Sequence, residues 1–596
     1  MRSLELAQIL IASIVVFILG VMVLQLTKET EESGFASFSS PEEFRDYISG
    51  ASSYADFRST SIPISMPEPT PVLTIEKGIE RVSQTNVQVL GIDEPDIVKT
   101  DGRNIYISRY QMLSLRILPP HFEQKVLIVK AFPPEELQKI KELSEGGEML
   151  IFEKNLIILS GNKLKAFSTE DFSEKYSAEL NGSIITARLH EGKIYLILSQ
   201  YAELCPIVPL SVNGVAHVIE CSNIYHPVKP LPVESIYTVV RLDAESGRVE
   251  DSISFVGNYA SVVYMSKNAV YVTYYSPADY AETMLKFATE NRDLFPDWFL
   301  EKLQKLVSYD LSDQAKQTEI WNLMRKLTLG MKPEDRIVFE NEFHNRYSKF
   351  AEKNAREIEK TAIWKISLDM KVVATSEIPG KLLNQFSLDE YNGYLRVATT
   401  VGNANDLYVL DQDLKIVGSL KGFGETERIY AVRFIEDKGY VVTFRQTDPF
   451  FVVDLSDPAE PRMAGELKIP GFSSYLHPLK ENLILGVGME DGNVKLSLFD
   501  VSDPKNPIEV DRYLLKESWS EVMNNHKAFL ADEKHEIFFI PASSGYIFSY
   551  QDGIRLIKAM ETGFRAVFIN DYLYIIGTKI TVFDERTWEK VAELEL

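Results

Sequence analysis

Short runs in which apolar and polar residues alternate dominate the chain from Thr85 to the C-terminus. A recurring unit contains a turn, an aliphatic or aromatic run such as Leu483–Leu485, and an alternating run that closes on Asp, such as Leu496–Asp500. Alternation with a period of two is typical of half-buried strands. The pattern therefore predicts a mostly β fold for residues 85–596.

Two near-copies of one phrase set the length of the unit. FFVVDLSDP (Phe450–Pro458) and LSLFDVSDP (Leu496–Pro504) place their first Asp residues 500 − 454 = 46 positions apart. A self-similar unit of this length is usually one module of a repeat fold, and four short strands per module are typical of a propeller blade. Counting the units predicts an eight- or nine-bladed β-propeller of four-stranded blades.

The repeated D-x-S-D-P phrase also predicts turns. Its Asp side chains can accept hydrogen bonds from nearby backbone N–H groups, and its Pro cannot continue a strand ladder. We therefore expect Asp454, Asp457, Asp500 and Asp503 to form turns, with cation ligation as the alternative.

Two insertions interrupt the repeats. Gln200–Glu234 contains Cys205 and Cys221, the two cysteines of the chain. Outside the cell they are expected to form a disulfide, and two reduced thiols are the alternative. The second insertion, residues 277–360, has apolar residues at helical spacing and is predicted to be an α-helical subdomain. We interpret its apolar stripes as the core of a small cap; a partner-binding groove or a membrane-lying face is the alternative.

The N-terminus has the composition of a membrane span. Residues 6–26 are apolar or small apart from Gln8 and Gln25, and their number fits a spanning helix of about 20 residues. Arg2 precedes the run and mostly acidic residues follow it, which favours a cytoplasmic N-terminus and an extracellular propeller. Residues 1–28 are therefore predicted to be a signal anchor. A cleaved signal peptide is the alternative, although no small-residue cleavage site follows directly.

Residues 29–84 are predicted to form a stalk. Ser40-Pro41-Glu42-Glu43 has the composition of a helix start. The Ser-, Thr- and Pro-rich run Ser59–Thr74 favours an extended linker.

Composition and motifs argue against some classes of partner and of reaction. Asp and Glu number 86 against 63 Lys and Arg, a net charge of −23, whereas nucleic-acid binding requires clustered positive charge. We therefore expect no nucleic-acid partner. The sequence contains no HExxH, GxSxG or P-loop motif, so it predicts no catalytic residue.

One acidic stretch is a candidate metal site. Asp93, Glu94, Asp96 and Asp101 lie within GIDEPDIVKTDG, residues 91–102, and their oxygens could hold a divalent cation such as calcium. The spacing differs from that of an EF-hand loop, and Asp101-Gly102 alone makes an ordinary turn, which is the alternative.

Two histidines are candidate ligand-binding residues. His477 and His526 both precede the second strand of their unit, so we expect them on the same side of the ring. A shared site there is one interpretation, and two structural histidines are the other.

Several long phrases resemble a known family. TNVQVLGIDEPDIVKTDG, RQTDPFFVVDLSDP, LKIPGFSSYLHPL, LSLFDVSDPKNP and HKAFL look like those of archaeal and bacterial secreted proteins with a C-terminal β-propeller distantly related to WD40 repeats. The resemblance implies an extracytoplasmic propeller behind a signal sequence or anchor, and it supplies no catalytic residues. This chain has Asn524-Asn525 before His526 where the family pattern leads us to expect Tyr-Asp.

These observations predict a membrane-anchored, cell-surface propeller that acts as a binding or scaffold module for a protein or an envelope polymer. The alternative is an enzyme, a hydrolase, lyase or oxidoreductase, with its site at the mouth of the propeller channel. A purely structural envelope protein is a third hypothesis.

Overall fold

The computed structural model describes residues 35–51, 80–113, 121–201, 203–228, 235–258, 262–309, 311–444 and 448–596. The predicted anchor at residues 6–26 and most of the predicted stalk lie outside these ranges. Within them, no helix has the length and apolar character needed to cross a membrane.

Strands make up most of the described chain, as the alternating pattern predicts. The strands of the N-terminal half are β1 (Phe35–Ser37), β2 (Val98–Thr100), β3 (Asn104–Leu113), β4 (His121–Lys130), β5 (Gln138–Leu143), β6 (Glu148–Phe152), β7 (Asn155–Ser160), β8 (Lys163–Ser168), β9 (Glu174–Leu180), β10 (Ser183–His190), β11 (Lys193–Gln200), β12 (Ile207–Val212), β13 (Val215–Ile219), β14 (Ile224–Pro227), β15 (Ser235–Asp243), β16 (Val249–Gly257), β17 (Val262–Met265) and β18 (Ala269–Tyr275). Those that follow the helical insertion are β19 (Lys360–Ser367), β20 (Val372–Pro379), β21 (Leu388–Tyr391), β22 (Tyr394–Val401), β23 (Ala404–Leu410), β24 (Ile416–Phe423), β25 (Arg428–Ile435), β26 (Lys438–Phe444), β27 (Asp448–Asp454), β28 (Arg462–Ile469), β29 (Phe472–Lys480), β30 (Leu483–Glu490), β31 (Asn493–Asp500), β32 (Ile508–Leu515), β33 (Leu530–Asp532), β34 (Ile537–Pro541), β35 (Gly545–Ser549), β36 (Arg555–Met560), β37 (Arg565–Ile569), β38 (Tyr572–Ile576), β39 (Lys579–Asp584) and β40 (Lys590–Glu595).

The described strands assemble into nine sheets, seven of four strands and two of six. In each four-stranded sheet, strands that are consecutive in sequence pair antiparallel, as in β29-β30-β31-β32. The first strand of a sheet is its buried edge and the last is its exposed edge: β37 is buried throughout, whereas β40 is mostly exposed.

Each sheet packs on the next through a hydrophobic cluster. At one such contact the rings of Phe450 and Phe499 stack with centroids 4.4 Å apart. The ninth sheet packs in the same way on the first, where Ile569 and Tyr574 join one cluster with Ile105. This arrangement of four-stranded sheets is that of a β-propeller.

The structure confirms the predicted turns of the D-x-S-D-P phrases. Asp454 and Asp500 each accept a hydrogen bond from the backbone N–H two positions ahead, at 3.1 and 2.9 Å. Asp457 and Asp503 do the same at 3.0 and 3.1 Å. The turns therefore account for these four side chains without a cation.

The first insertion, together with strand β1, accounts for the two six-stranded sheets. Its hairpin β12-β13 extends the second sheet next to β9, and β14 pairs parallel with β16 at the edge of the third sheet. A Cys205–Cys221 disulfide closes the insertion, as predicted.

The second insertion lies between β18 and β19 of the fourth sheet and is helical. Its core consists of apolar side chains from all the longer helices, such as Phe287, Leu303 and Ile320. The helices of the described chain are α1 (Pro41–Ala51), before the propeller, and then α2 (Tyr280–Glu290), α3 (Asp297–Ser308), α4 (Asp313–Leu329), α5 (Pro333–Lys353) and α6 (Ala355–Ile358).

The disulfide also holds the N-terminal helix. Phe38, Phe44 and Ile48, from α1 and the residues before it, form one buried cluster with Cys205 and Cys221. Strand β1 pairs with β14 of the same insertion. The described N-terminal residues are therefore attached to the third sheet through the disulfide-closed insertion.

We predict that replacing both cysteines by alanine loosens α1. The disulfide joins residues 16 positions apart, and closing a loop of that length stabilises by about 3 kcal/mol. Hydrogen–deuterium exchange of the full chain should speed up in residues 41–51 and 203–228 and stay unchanged in β29–β32. Unchanged protection of α1 in the variant would contradict this attachment.

Candidate functional site

One irregular stretch lies inside the ring of sheets. Residues 80–97, here called the inner segment, pair with the first strands of sheets that are far apart in sequence. Val82 bridges to Ile569 of the ninth sheet, and Asp96 bridges to Met149 of the second. Since first strands are the buried edges of the sheets, these contacts place the inner segment at the centre of the propeller.

The middle of the inner segment contacts further sheets through amide side chains. The Asn86 Nδ2 donates hydrogen bonds to Tyr475 Oη and to the carbonyl oxygen of His526, both at 2.8 Å. The Gln88 Nε2 donates to the carbonyl oxygen of Leu388 in the fifth sheet at 2.8 Å. The segment therefore follows the inner wall of the ring.

Three of the four candidate cation ligands lie on the inner segment and are buried. The first, Asp93, accepts a hydrogen bond from Lys99 Nζ at 2.8 Å. The Glu94 carboxylate lies 2.9 Å from Arg188 Nε. Burial raises the pKa of Asp93 and raises that of Glu94 well above its ordinary value, and the Lys99 and Arg188 charges oppose the two shifts.

The third carboxylate, Asp96, is paired with Arg565 of the ninth sheet at 3.1 Å. The fourth, Asp101, bonds within its own turn: it accepts from the backbone N–H of Asn104 at 2.6 Å and from Tyr106 Oη at 2.7 Å. Binding of calcium by the four residues stays a prediction, and at the inner segment it would require a cation to displace buried lysine and arginine groups.

The paired groups continue into a wider network of alternating charge. Arg565 also contacts Glu521 at 3.0 Å. Lys527 donates to Glu148 at 2.5 Å and to the carbonyl oxygen of Pro95 at 2.8 Å. The sequence gives no sign of these partners, because they come from the second, seventh, eighth and ninth repeats.

His477 and His526 both contact Tyr475. The Tyr475 Oη is 2.9 Å from His477 Nδ1, and its ring stacks on that of His526 with centroids 5.8 Å apart. Phe529 and Phe386 cover the two imidazoles, at 4.5 and 5.2 Å. The structure thus brings together the two histidines that the repeat pattern places on one side of the ring.

Both imidazoles are neutral at physiological pH. Although part of the surface of His477 reaches solvent, the surrounding protein and Arg433 lower its pKa to about 3. Burial, and then Lys527, lower the pKa of His526 well below its usual range. The His526 Nε2 has no hydrogen-bond partner among the described residues, so it could accept a hydrogen bond or ligate a metal.

Two cavities border the inner segment. One, of about 50 Å³, is lined by the inner segment together with Lys527, Phe529 and Arg565 and has room for a few waters, since a water molecule occupies about 30 Å³ in the liquid. The other, of about 450 Å³, is lined by Pro95 of the inner segment, Glu148 and residues 182–187, and its volume is within the usual range for ligand sites.

A larger cleft, of about 730 Å³, lies between the helical insertion and the fourth sheet. Tyr275 and Tyr309 line it and reach solvent. Tyr274 and Trp364 are buried behind its surface, where the Trp364 Nε1 donates to Tyr274 Oη at 3.0 Å. Its lysines are paired with acids, as in Lys360 and Glu377 at 3.1 Å. The sequence did not predict this cleft, because its two walls belong to different structural units.

A group of possible metal ligands was also not predicted from the sequence. Asp532, His535 and Glu585 bring ligand-type atoms to within 4.8 Å of one another in the described structure. The sequence signal was weak, since the two carboxylates lie in turns of different sheets and none of the eight histidines has a metal-binding spacing.

We predict that Arg188→Met destabilises the protein strongly. The change leaves the Glu94 carboxylate, which is buried, without its cation, at a cost of about 3–5 kcal/mol. The double variant Arg188→Met/Glu94→Leu should recover most of the loss, measured as the chemical denaturation midpoint of the full chain. Lys154→Met breaks an exposed pair with Glu170 and should cost less than about 1 kcal/mol. A single Arg188 variant as mild as this control would contradict the role of the pair.

We predict that His477 makes stability depend on pH. Its folded pKa of about 3 lies below the value of about 6.5 for an unfolded chain. Between these values the unfolded state binds more protons, so stability is fully present above about pH 6.5 and falls as the pH drops. The denaturation midpoint of His477→Gln should therefore fall less than that of the wild type between about pH 7 and about pH 4. His344→Gln, at an exposed position, should behave as wild type; equal slopes in all three proteins would refute the prediction.

Comparison with known proteins agrees with the fold. The sequence profile of the beta propeller domain family matches residues 82–582. An uncharacterized protein of Archaeoglobus fulgidus is 52% identical over 589 residues, 95% of each chain. An uncharacterized protein of Methanocaldococcus jannaschii is 38% identical over 539 residues, 87% of this chain and 84% of that one.

Two solved structures are also similar. Apo AztD from Citrobacter koseri gives a TM-score of 0.35 at 10% identity, covering 73% of this chain and 92% of that one. BamB from Moraxella catarrhalis gives 0.34 at 10% identity, covering 72% and 92%. From the profile match and the archaeal relatives, the chain belongs to the beta propeller domain family.

Proposed function

We propose that the protein is a membrane-anchored, extracytoplasmic propeller of nine blades that binds a segment of a protein or envelope polymer in the cleft beneath its helical insertion. The anchor is residues 6–26, whose length and composition suit a membrane span. The Cys205–Cys221 disulfide supports a location outside the cytoplasm, because disulfides persist mainly in oxidising compartments.

The cleft is the observation that carries this proposal. Its volume of about 730 Å³ falls within the usual range for ligand sites, about 300–1,000 Å³. Tyr275 and Tyr309 supply aromatic contact area that reaches solvent, and ion pairs such as Lys360–Glu377 supply charged groups at the edge of the cleft. An aromatic surface with polar groups at its edge suits either a peptide segment or a sugar polymer.

The centre of the ring supports a scaffold more than a reaction. His477 and His526 are packed among Tyr475, Phe529 and Phe386, and they line neither of the cavities of about 50 and 450 Å³ that border the inner segment. The ring therefore acts as a rigid frame, and the two insertions supply the variable contact surfaces.

A photocrosslinking residue placed in the cleft tests this function. Ser376 lines the cleft from β20, the exposed edge strand of the fourth sheet. Ser419 is half-buried on β24, the equivalent strand of the fifth sheet, and does not line this cleft. With the full, anchored chain in its own cells, Ser376→p-benzoylphenylalanine should give a discrete adduct at least about tenfold more abundant than the Ser419 variant.

The adduct also identifies the class of partner. Loss of added mass after protease treatment indicates a protein, and loss after glycosidase treatment indicates an envelope polymer. Equal adducts from both positions, or none from Ser376, would reject the cleft as the binding site.

A further inference from the structure

A group of metal-type side chains lies where the eighth and ninth sheets meet. Asp532 ends β33 and His535 lies in the turn that follows it. Glu585 directly follows β39 in the ninth sheet. Their ligand-type atoms lie within 4.8 Å of one another, although the residues come from two separate turns.

The two carboxylates share one arginine and each uses only one oxygen on it. The Arg81 Nη1 donates to Asp532 Oδ1 at 2.5 Å, and its Nη2 donates to Glu585 Oε2 at 3.1 Å. The backbone N–H of Lys534 also donates to Asp532 Oδ1, at 3.0 Å. The arginine therefore fixes the two carboxyl groups next to each other.

The other oxygens of this pair are unsatisfied. Asp532 Oδ2 and Glu585 Oε1 have no hydrogen-bond partner among the described residues. Their side chains are 1% and 0% exposed, so bulk water does not solvate them. Buried polar atoms nearly always have a partner, and a buried carboxylate oxygen without one is costly. Two such oxygens in one group call for a shared proton or for a cation between them.

The third side chain lies on the solvent side of the group. The His535 Nε2 is 3.0 Å from Asp571 Oδ1 and 3.7 Å from Glu585 Oε2. The side chains of His535 and Asp571 are 15% and 24% exposed. This side of the group therefore offers an ion a path from solvent to the buried carboxylates.

We propose that Asp532, Glu585 and His535 bind a divalent transition metal of the Zn²⁺ or Mn²⁺ type. Two carboxylates and an imidazole are a usual donor set for these ions, whereas Ca²⁺ prefers oxygen ligands alone. The metal binds the His535 Nε2 lone pair, so coordination replaces the contact between Nε2 and Asp571 Oδ1. Arg81 stays on the opposite oxygens and orients the two carboxylates, as outer partners of metal ligands do.

Metal binding to the full-length chain tests the proposal. The protein is stripped with a chelator and titrated with Zn²⁺ and, separately, with Mn²⁺, and bound metal is counted after gel filtration. We expect one tightly bound ion per chain. Asp532→Asn and Glu585→Gln should each weaken its affinity by roughly a hundredfold or more, since each removes a charged ligand.

Matched variants separate this site from surface binding. Asp413→Asn and His344→Gln change the same residue types at exposed positions and should leave the tight ion in place. A wild-type chain without a tight ion would overturn the proposal, and so would ligand variants that bind as tightly as the controls. In that case a proton shared by Asp532 and Glu585 supplies the missing partner.

A second measurement does not depend on the variants folding. Crystals of the wild-type chain grown with Zn²⁺ should show an anomalous-scattering peak between Asp532, Glu585 and His535. Crystals with anomalous peaks only elsewhere on the surface would reject the site.

Discussion

The buried ion pairs of the inner segment are the constraint on which the rest of the structure depends. In a ring of sheets each blade contacts only its two neighbours, whereas the inner segment contacts many blades at once. Its Glu94 and Asp96 pair with Arg188 and Arg565, residues of the third and ninth sheets. Buried pairs gain little net stability, but breaking one leaves an uncompensated charge. The two pairs therefore favour the course of the inner segment that brings both carboxylates to their arginines, because any other course leaves a buried charge without a partner.

The inner segment lines the centre of the ring, next to cavities of about 50 and 450 Å³. Further surface is built at the rim, where residues 277–360 form a helical body and the disulfide-closed insertion widens two sheets. Loops and insertions on a rigid frame are where binding usually lies.

The sequence predicts those features that depend on neighbouring residues or on the repeat itself. Period-two runs predict the strands, and the turn Asp residues, such as Asp454, bond as local chemistry requires. The convergence of His477 and His526 was also accessible, because each precedes the second strand of its repeat and the two repeats are successive. The partners of Glu94 and Asp96 were not, since Arg188 and Arg565 are distant in sequence. When the arginine side chains that pair with it are not known, this acidic run resembles a calcium site.

The ring closes where the ninth sheet meets the first. The first sheet takes all its strands from the N-terminal side and the ninth takes all of its own from the C-terminus, so no shared strand joins them. Closure rests on one hydrophobic cluster and on the inner segment, which crosses the junction. Arg81 fixes one end of that segment to Asp532 and Glu585, and Asp96 fixes the other end to Arg565. A cation at Asp532 and Glu585 would therefore hold together the carboxylates on which Arg81 depends, and would strengthen the attachment of the inner segment to the eighth and ninth sheets.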